Sequence, residues 1–213
     1  MKKLQLTPFF LLCAVFVEIA ASQHETIETR YENGRFITSC VVPIEASEKA
    51  TSSIMDDFIV QFGSDLPQLF TWAFKGMGLQ GEGDELIVYH LKSSEYDEKT
   101  KMIHGKMDAI IPKIITFRDI GIDGKMYKKE VSNKRIVVQY DILKATNFIK
   151  EAGATFTITR ENDTNALCRL DVQVKFGWFF NIFITQKRYR QNLEWRFEQL
   201  AKNLKEEAMK RDL

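Results

Sequence analysis

Leu167-Cys168-Arg169-Leu170-Asp171-Val172-Gln173-Val174-Lys175-Phe176 alternates without a break. Cys168, Leu170, Val172, Val174 and Phe176 take one side, and Arg169, Asp171, Gln173 and Lys175 take the other. A period of two with one apolar and one polar face describes an antiparallel strand whose sheet is covered on one side only. Past residue 184 the period changes. Residues 185–210 contain no Gly or Pro, and Tyr189, Leu193, Phe197, Leu200, Leu204 and Ala208 recur every three or four positions. That is a long amphipathic helix with one apolar stripe. The stripe needs a surface to cover, and the sheet supplies one.

Upstream, the same signals give further strands at residues 36–42, 86–91, 102–111, 114–120, 135–143 and 154–160. Pro43 ends the first of these, and Ile122-Asp123-Gly124-Lys125 reads as a turn after the fourth. Ser47 can cap a helix on which Ala50, Ile54, Phe58 and Phe62 recur. A second helix covers residues 64–75, with Pro67 tolerable in its first turn. Residues 23–32 are polar and read as loose. The fold class is therefore α+β: a curved antiparallel sheet of about seven strands, two short helices and a long C-terminal helix. No repeat or interdomain linker divides residues 23–213, which are expected to form one domain.

Strand, two short helices, six strands and one terminal helix is the element order of the helix-grip fold. Over residues 33–211 the chain resembles the START-like (Bet v 1-like) superfamily in that order. The Val42-Pro43 strand end followed by Ala46-Ser47-Glu48-Lys49 is similar to the superfamily's first strand–helix junction, and Asn192-Leu193-Glu194 through Leu204 to its last helix. The Gly-rich loop that Bet v 1 relatives carry in mid-sheet is absent. The resemblance implies an apolar cavity between sheet and terminal helix.

The chain has 213 residues, 45% hydrophobic and 28% charged, with 11 Gly and 4 Pro. That excludes a disordered or collagenous chain. Lys2-Lys3, an apolar run over residues 9–17, and Ala20-Ala21-Ser22 form the three parts of a secretory signal at residues 1–22, with cleavage before Gln23. The run is shorter than the roughly 20 residues a membrane span requires. The product is expected to be exported, periplasmic or extracellular. Removing residues 1–22 leaves Lys plus Arg equal in number to Asp plus Glu, so net charge gives no argument for a nucleic-acid partner. Cys40 and Cys168 remain. In an oxidising compartment they invite a disulfide; the alternative is a pair of small buried hydrophobes.

No catalytic motif is present. Gly76-Met77-Gly78-Leu79-Gln80-Gly81 matches GxGxxG in letters, but it follows a helix and leads through Glu82-Gly83-Asp84 into a strand. A phosphate site needs the reverse order and no carboxylates. No cofactor is expected. His90 and His104 sit on neighbouring strands and read as a solvent-facing pair without a third ligand, so no metal is expected. Arg118, Glu130 and Tyr140 are weak candidates for a cavity enzyme. Phe176-Gly177-Trp178-Phe179-Phe180-Asn181-Ile182-Phe183-Ile184 is either core or a greasy gate for lipid. Trp195 falls about 200° from Leu193, where it could meet a partner or lipid headgroups.

Three functions follow. The first is an exported protein binding a hydrophobic or amphipathic small molecule without catalysis. Its ligand-binding candidates are Tyr89, Tyr140, Phe176, Trp178, Phe179, Phe183, Tyr189, Leu193 and Phe197, with peripheral membrane contact an accompanying expectation. The second is a cyclase- or hydratase-type enzyme in the same cavity. The third is a cell-envelope interaction protein with a filled core.

Overall fold

The computed structural model describes residues 25–77, 87–97, 99–132, 134–145, 149–181 and 184–213. Its elements run β1 (Thr26–Glu32), β2 (Arg35–Glu45), α1 (Glu48–Ser64), α2 (Leu66–Thr71), β3 (Val88–Asp97), β4 (Met102–Ile111), β5 (Ile115–Val131), β6 (Arg135–Ala145), β7 (Ile149–Arg160), β8 (Asn165–Phe176), α3 (Trp178–Asn181) and α4 (Gln186–Arg211). The eight strands form one antiparallel sheet in the order β1-β2-β8-β7-β6-β5-β4-β3. α4 lies against β1, β2 and α1. This is the helix-grip arrangement, with eight strands in place of about seven.

The additional strand is β1, in the segment read as loose. Its own residues carry little apolar pattern. It is held by the ladder to β2, which runs from Thr26↔Val41 to Glu32↔Arg35. Asn33 and Gly34 at φ 51° and 77° provide the two left-handed positions that a tight hairpin requires. Inside the hairpin the Thr29 and Thr38 hydroxyls hydrogen-bond at 3.0 Å. β2 continues through Pro43 to Glu45 rather than stopping before it. β1 pairs with β2 only as far as Val41, so Pro43 sits where the missing N–H is tolerated.

The expected turn at residues 122–125 is not a turn. β5 is a single 17-residue strand that bends instead of reversing. Its register against β4 shifts between Met107↔Ile120 and Ala109↔Phe117, with Asp119 in the left-handed region at φ 56°. The extra residue changes the parity, so Phe117 on one side of the bulge and Ile120 and Ile122 on the other all face inward. Lys92 closes this bulge from β3, its ammonium 2.8 Å from both Asp108 and Asp119. A second shift, between Leu91 and Ser93 on β3, turns Ser94 inward after Tyr89 and Leu91. Bulges of this kind bend a sheet, and here they curve the β3–β5 side.

Ser47 caps α1, its hydroxyl accepting from the Ala50 amide at 3.3 Å. Ala50, Ile54 and Met55 are buried beneath it. Asp65 caps α2 by accepting from Gln68 N, with Pro67 in the first turn. α2 ends at Thr71, and residues 72–77 continue as turns. Thr185 caps α4. Arg211 and Asp212 at its far end bind Asp57 and the Ser47 amide. Tyr189 stacks on Phe36 with centroids 4.0 Å apart, fastening the start of α4 to β2.

Cys40 and Cys168 are both buried free thiols. Cys40 lies opposite Leu170 and Cys168 opposite Val42, so they are diagonal neighbours on one face. Such pairs stand about 7–8 Å apart, wider than the usual disulfide span. No bridge joins them in the structure, and the pair packs as small hydrophobes, the alternative reading.

Candidate functional site

The inner faces of β3 to β6 leave a space where the sheet bends away from α4. Tyr89, Leu91 and Ser94 of β3, Ile103, Gly105 and Met107 of β4, Ile122 of β5, and Tyr140 and Ile142 of β6 form its floor. Phe70 of α2 and Phe74 just beyond form its roof. The cavity measures about 300 Å³, the lower end of the range for small-molecule sites. Among the described residues no charged side chain lines it. The polar side chains on its wall are Tyr89, Ser94 and Tyr140. Burial pushes the Tyr140 phenol up to about 12, with Asp123 adding to the shift. Burial also raises Tyr89, against a smaller opposite pull from the Arg196 cation. Both phenols are therefore neutral near pH 7 and able to donate a hydrogen bond.

A second apolar space of about 150 Å³ adjoins it, lined by Phe58, Phe74, Met126, Val138, Tyr140, Ala154, Phe156, Leu170, Val172 and Leu200. Phe74 and Tyr140 belong to both. Phe74 is held by rings: Phe58 lies 5.9 Å away and Phe70 5.7 Å.

The backbone of the roof is fixed by three polar residues of α4. Asn203 donates to the carbonyls of Ala73 and Lys75, each at 2.9 Å. Arg196, 5% exposed, donates through Nε to Met77 O at 3.0 Å. It also donates through Nη2 to Ile87 O and through Nη1 to Asn192 O and Oδ1. Asn192 Oδ1 in turn accepts from Ile87 N at 2.8 Å. The guanidinium lies 5.1 Å from the Tyr89 ring centre, a cation–π distance, which ties the clasp to the cavity wall. Burial pulls the Arg196 pKa below its usual value, partly offset by Tyr89.

Of the nine ligand candidates from the sequence, Tyr89 and Tyr140 reach the cavity. Phe176, Tyr189 and Leu193 pack in a core cluster with Phe36, and Phe197 is buried in the other cluster. Trp178 is 74% exposed. The Phe179 side chain and all of Phe183 lie outside the described residues, as do residues 1–22 and the glycine stretch from Gly78 to Gly83. The cavity is thus set between α2 and the bulged strands. α4 borders only the second space, through Leu200, because its apolar stripe is used against β2 and α1.

The described enzyme candidates, Arg118 and Tyr140, lie in different surroundings. Arg118 is exposed, Tyr140 faces the cavity, and the Glu130 side chain lies outside the described residues. His90 and His104 are exposed but do not face each other. His90 is opposite Asp108 and His104 opposite Glu95, and His104 Nδ1 pairs with Asp123 at 2.8 Å. Trp195 is half-buried, its ring 5.9 Å from the Arg196 guanidinium. Among the described residues no group of three His, Cys, Asp or Glu could hold a metal ion, and no helix is long and apolar enough to cross a membrane.

Sequence reasoning missed Asn192, Arg196 and Asn203. Their spacing of four and seven puts them in one line beside the apolar stripe, a legible signal once polar residues are admitted to a buried face.

No protein-family model matches the chain, and no curated protein matches it. Solved structures do. A START superfamily protein from Mycobacterium smegmatis is 14% identical, with 82% of this chain and 97% of that chain covered and a TM-score of 0.47. The Zhui aromatase/cyclase from Streptomyces sp. R1128 is 9% identical, covering 83% and 92%, at 0.47. Ginseng major latex-like protein 151 from Panax ginseng is 9% identical, covering 82% and 98%, at 0.44. All three are likenesses of overall arrangement.

Proposed function

We propose that this protein binds an apolar or amphipathic small molecule in the cavity beneath Phe70 and Phe74, without making or breaking bonds in it. The observation that carries this reading is the wall itself: about 300 Å³ of space bounded by aliphatic and aromatic side chains. Burial of ligand surface at about 25 cal/mol per Å² supplies the affinity. The neutral phenol of Tyr89 orients a single polar group. An enzyme of the cyclase or hydratase type needs a carboxylate or imidazole within reach of the reacting atoms, and the described wall offers neither. In this reading the protein is exported and carries its ligand outside the cytoplasm.

Native mass spectrometry of freshly purified protein tests the proposal. The expected result is a bound mass, or one gained on adding a mixture of lipids and other apolar metabolites, at one molecule per chain. A persistently bare chain would overturn it.

A further inference from the structure

The two apolar spaces meet at Tyr140, and the position of that ring depends on a glycine in the next strand. A Cβ on Gly124 would stand 2.2 Å from Tyr140 Oη, 2.4 Å from Cζ and 2.5 Å from Cε2. Each distance is roughly 1 Å inside ordinary contact. The ring therefore rests on the bare backbone of β5. Gly124 pairs with Ile142 and Met126 with Tyr140, so Gly124 is the diagonal neighbour of Tyr140 on the same face of the sheet. With the ring in this berth, Tyr140 and Phe74 stand between a chamber of about 300 Å³ and one of about 150 Å³.

We propose that Tyr140, berthed over Gly124, is the partition that sets ligand length, and that the ligand is an unbranched alkyl chain with one polar end. This rests on the binding reading above and deepens it. Two apolar chambers in series suit a narrow flexible chain better than a broad rigid ring system. The second chamber holds no charged side chain among the described residues, so a chain end can occupy it, and Met126 on its wall adapts to variable contents. The polar end stays in the first chamber, where Tyr89 and Ser94 are. A chain that fills the first chamber stops against the Tyr140 ring. A longer one must displace that ring from Gly124.

The test is a homologous series of straight-chain alcohols from hexanol to hexadecanol, competed against a fluorescent apolar probe on the full mature chain. Each buried methylene tightens binding about fourfold. For the wild type this gain should stop at a definite length. Tyr140→Ala removes the partition, so the stop should move to longer chains, by two or more methylenes. Gly124→Ala pushes the ring off β5 into the lumen and should move the stop to shorter chains. Tyr140→Leu serves if the Ala variant does not fold, folding being checked by circular dichroism and thermal melting. A stop at the same length in folded Tyr140 and Gly124 variants overturns the partition while leaving binding intact. A wild type that binds no alcohol of any length defeats the binding reading itself.

Discussion

Replacing Arg196 by Met takes away a buried cation whose described partners are carbonyl groups and one side-chain amide. Two of those carbonyls, on Met77 and Ile87, come from chain more than a hundred positions away in sequence. Met fills similar space but cannot donate, so both acceptors lose a partner. An orphaned buried acceptor costs about 1–3 kcal/mol. Against this, removing the ion recovers part of its desolvation, which for buried charges is several kcal/mol and can cancel the loss. Here cancellation is incomplete, because the partners left behind are backbone groups that cannot neutralise or leave. A net loss of about 2–4 kcal/mol results, a substantial part of the 5–15 kcal/mol typical of a folded domain. Urea unfolding followed by tryptophan fluorescence should show the midpoint fall by about 1 M. Arg196→Lys should lose less, since one ammonium can serve either carbonyl but not both in the guanidinium's fork. Amide exchange should accelerate first at Met77 and Ile87, where Ile87 N is bound by Asn192, and later in β8. Stability of the Met variant within about 0.5 kcal/mol of wild type would refute the clasp.

Stability should also decline at alkaline pH. Burial raises the Cys40 thiol from 9.0 to about 12 and the Tyr140 phenol from 10.0 to about 12, and lifts Cys168 as well. The unfolded chain releases these protons first, so stability is full below about pH 9 and falls as pH rises, by up to about 1.4 kcal/mol per pH unit for each group. Urea midpoints measured along a pH series should show the decline, less steep in Cys40→Ala/Cys168→Ala; equal slopes would contradict it. Expressed in an exporting host, the protein should be recovered outside the cytoplasm starting at Gln23. Edman or mass-spectrometric identification of an intact Met1 on the exported chain would remove the leader reading.

Local periodicity carries the regular elements of this chain. β8 and α4 announce themselves through periods of two and of three to four, because each repeats the same environment residue after residue. The cap at Ser47 follows from a hydroxyl placed just ahead of a helical run. β5 was misread because its bend comes from a bulge at Asp119, and one extra residue breaks alternation as surely as a turn does. β1 was missed because the hydrogen bonds that make it a strand belong to the register with β2, not to its own composition.

The sequence by itself determined the α+β class, the element order and the closing helix, since these depend on neighbours within a few positions along the chain. Only the tertiary structure decided where the empty space lies. The cavity is bounded by residues of four strands and the α2 segment, aligned by bulges whose parity changes no linear pattern reveals. The stripe of α4, which looked like its wall, is consumed in packing against β2 and α1. Arg196 and Asn203 can be buried only because carbonyls distant in sequence stand beside them.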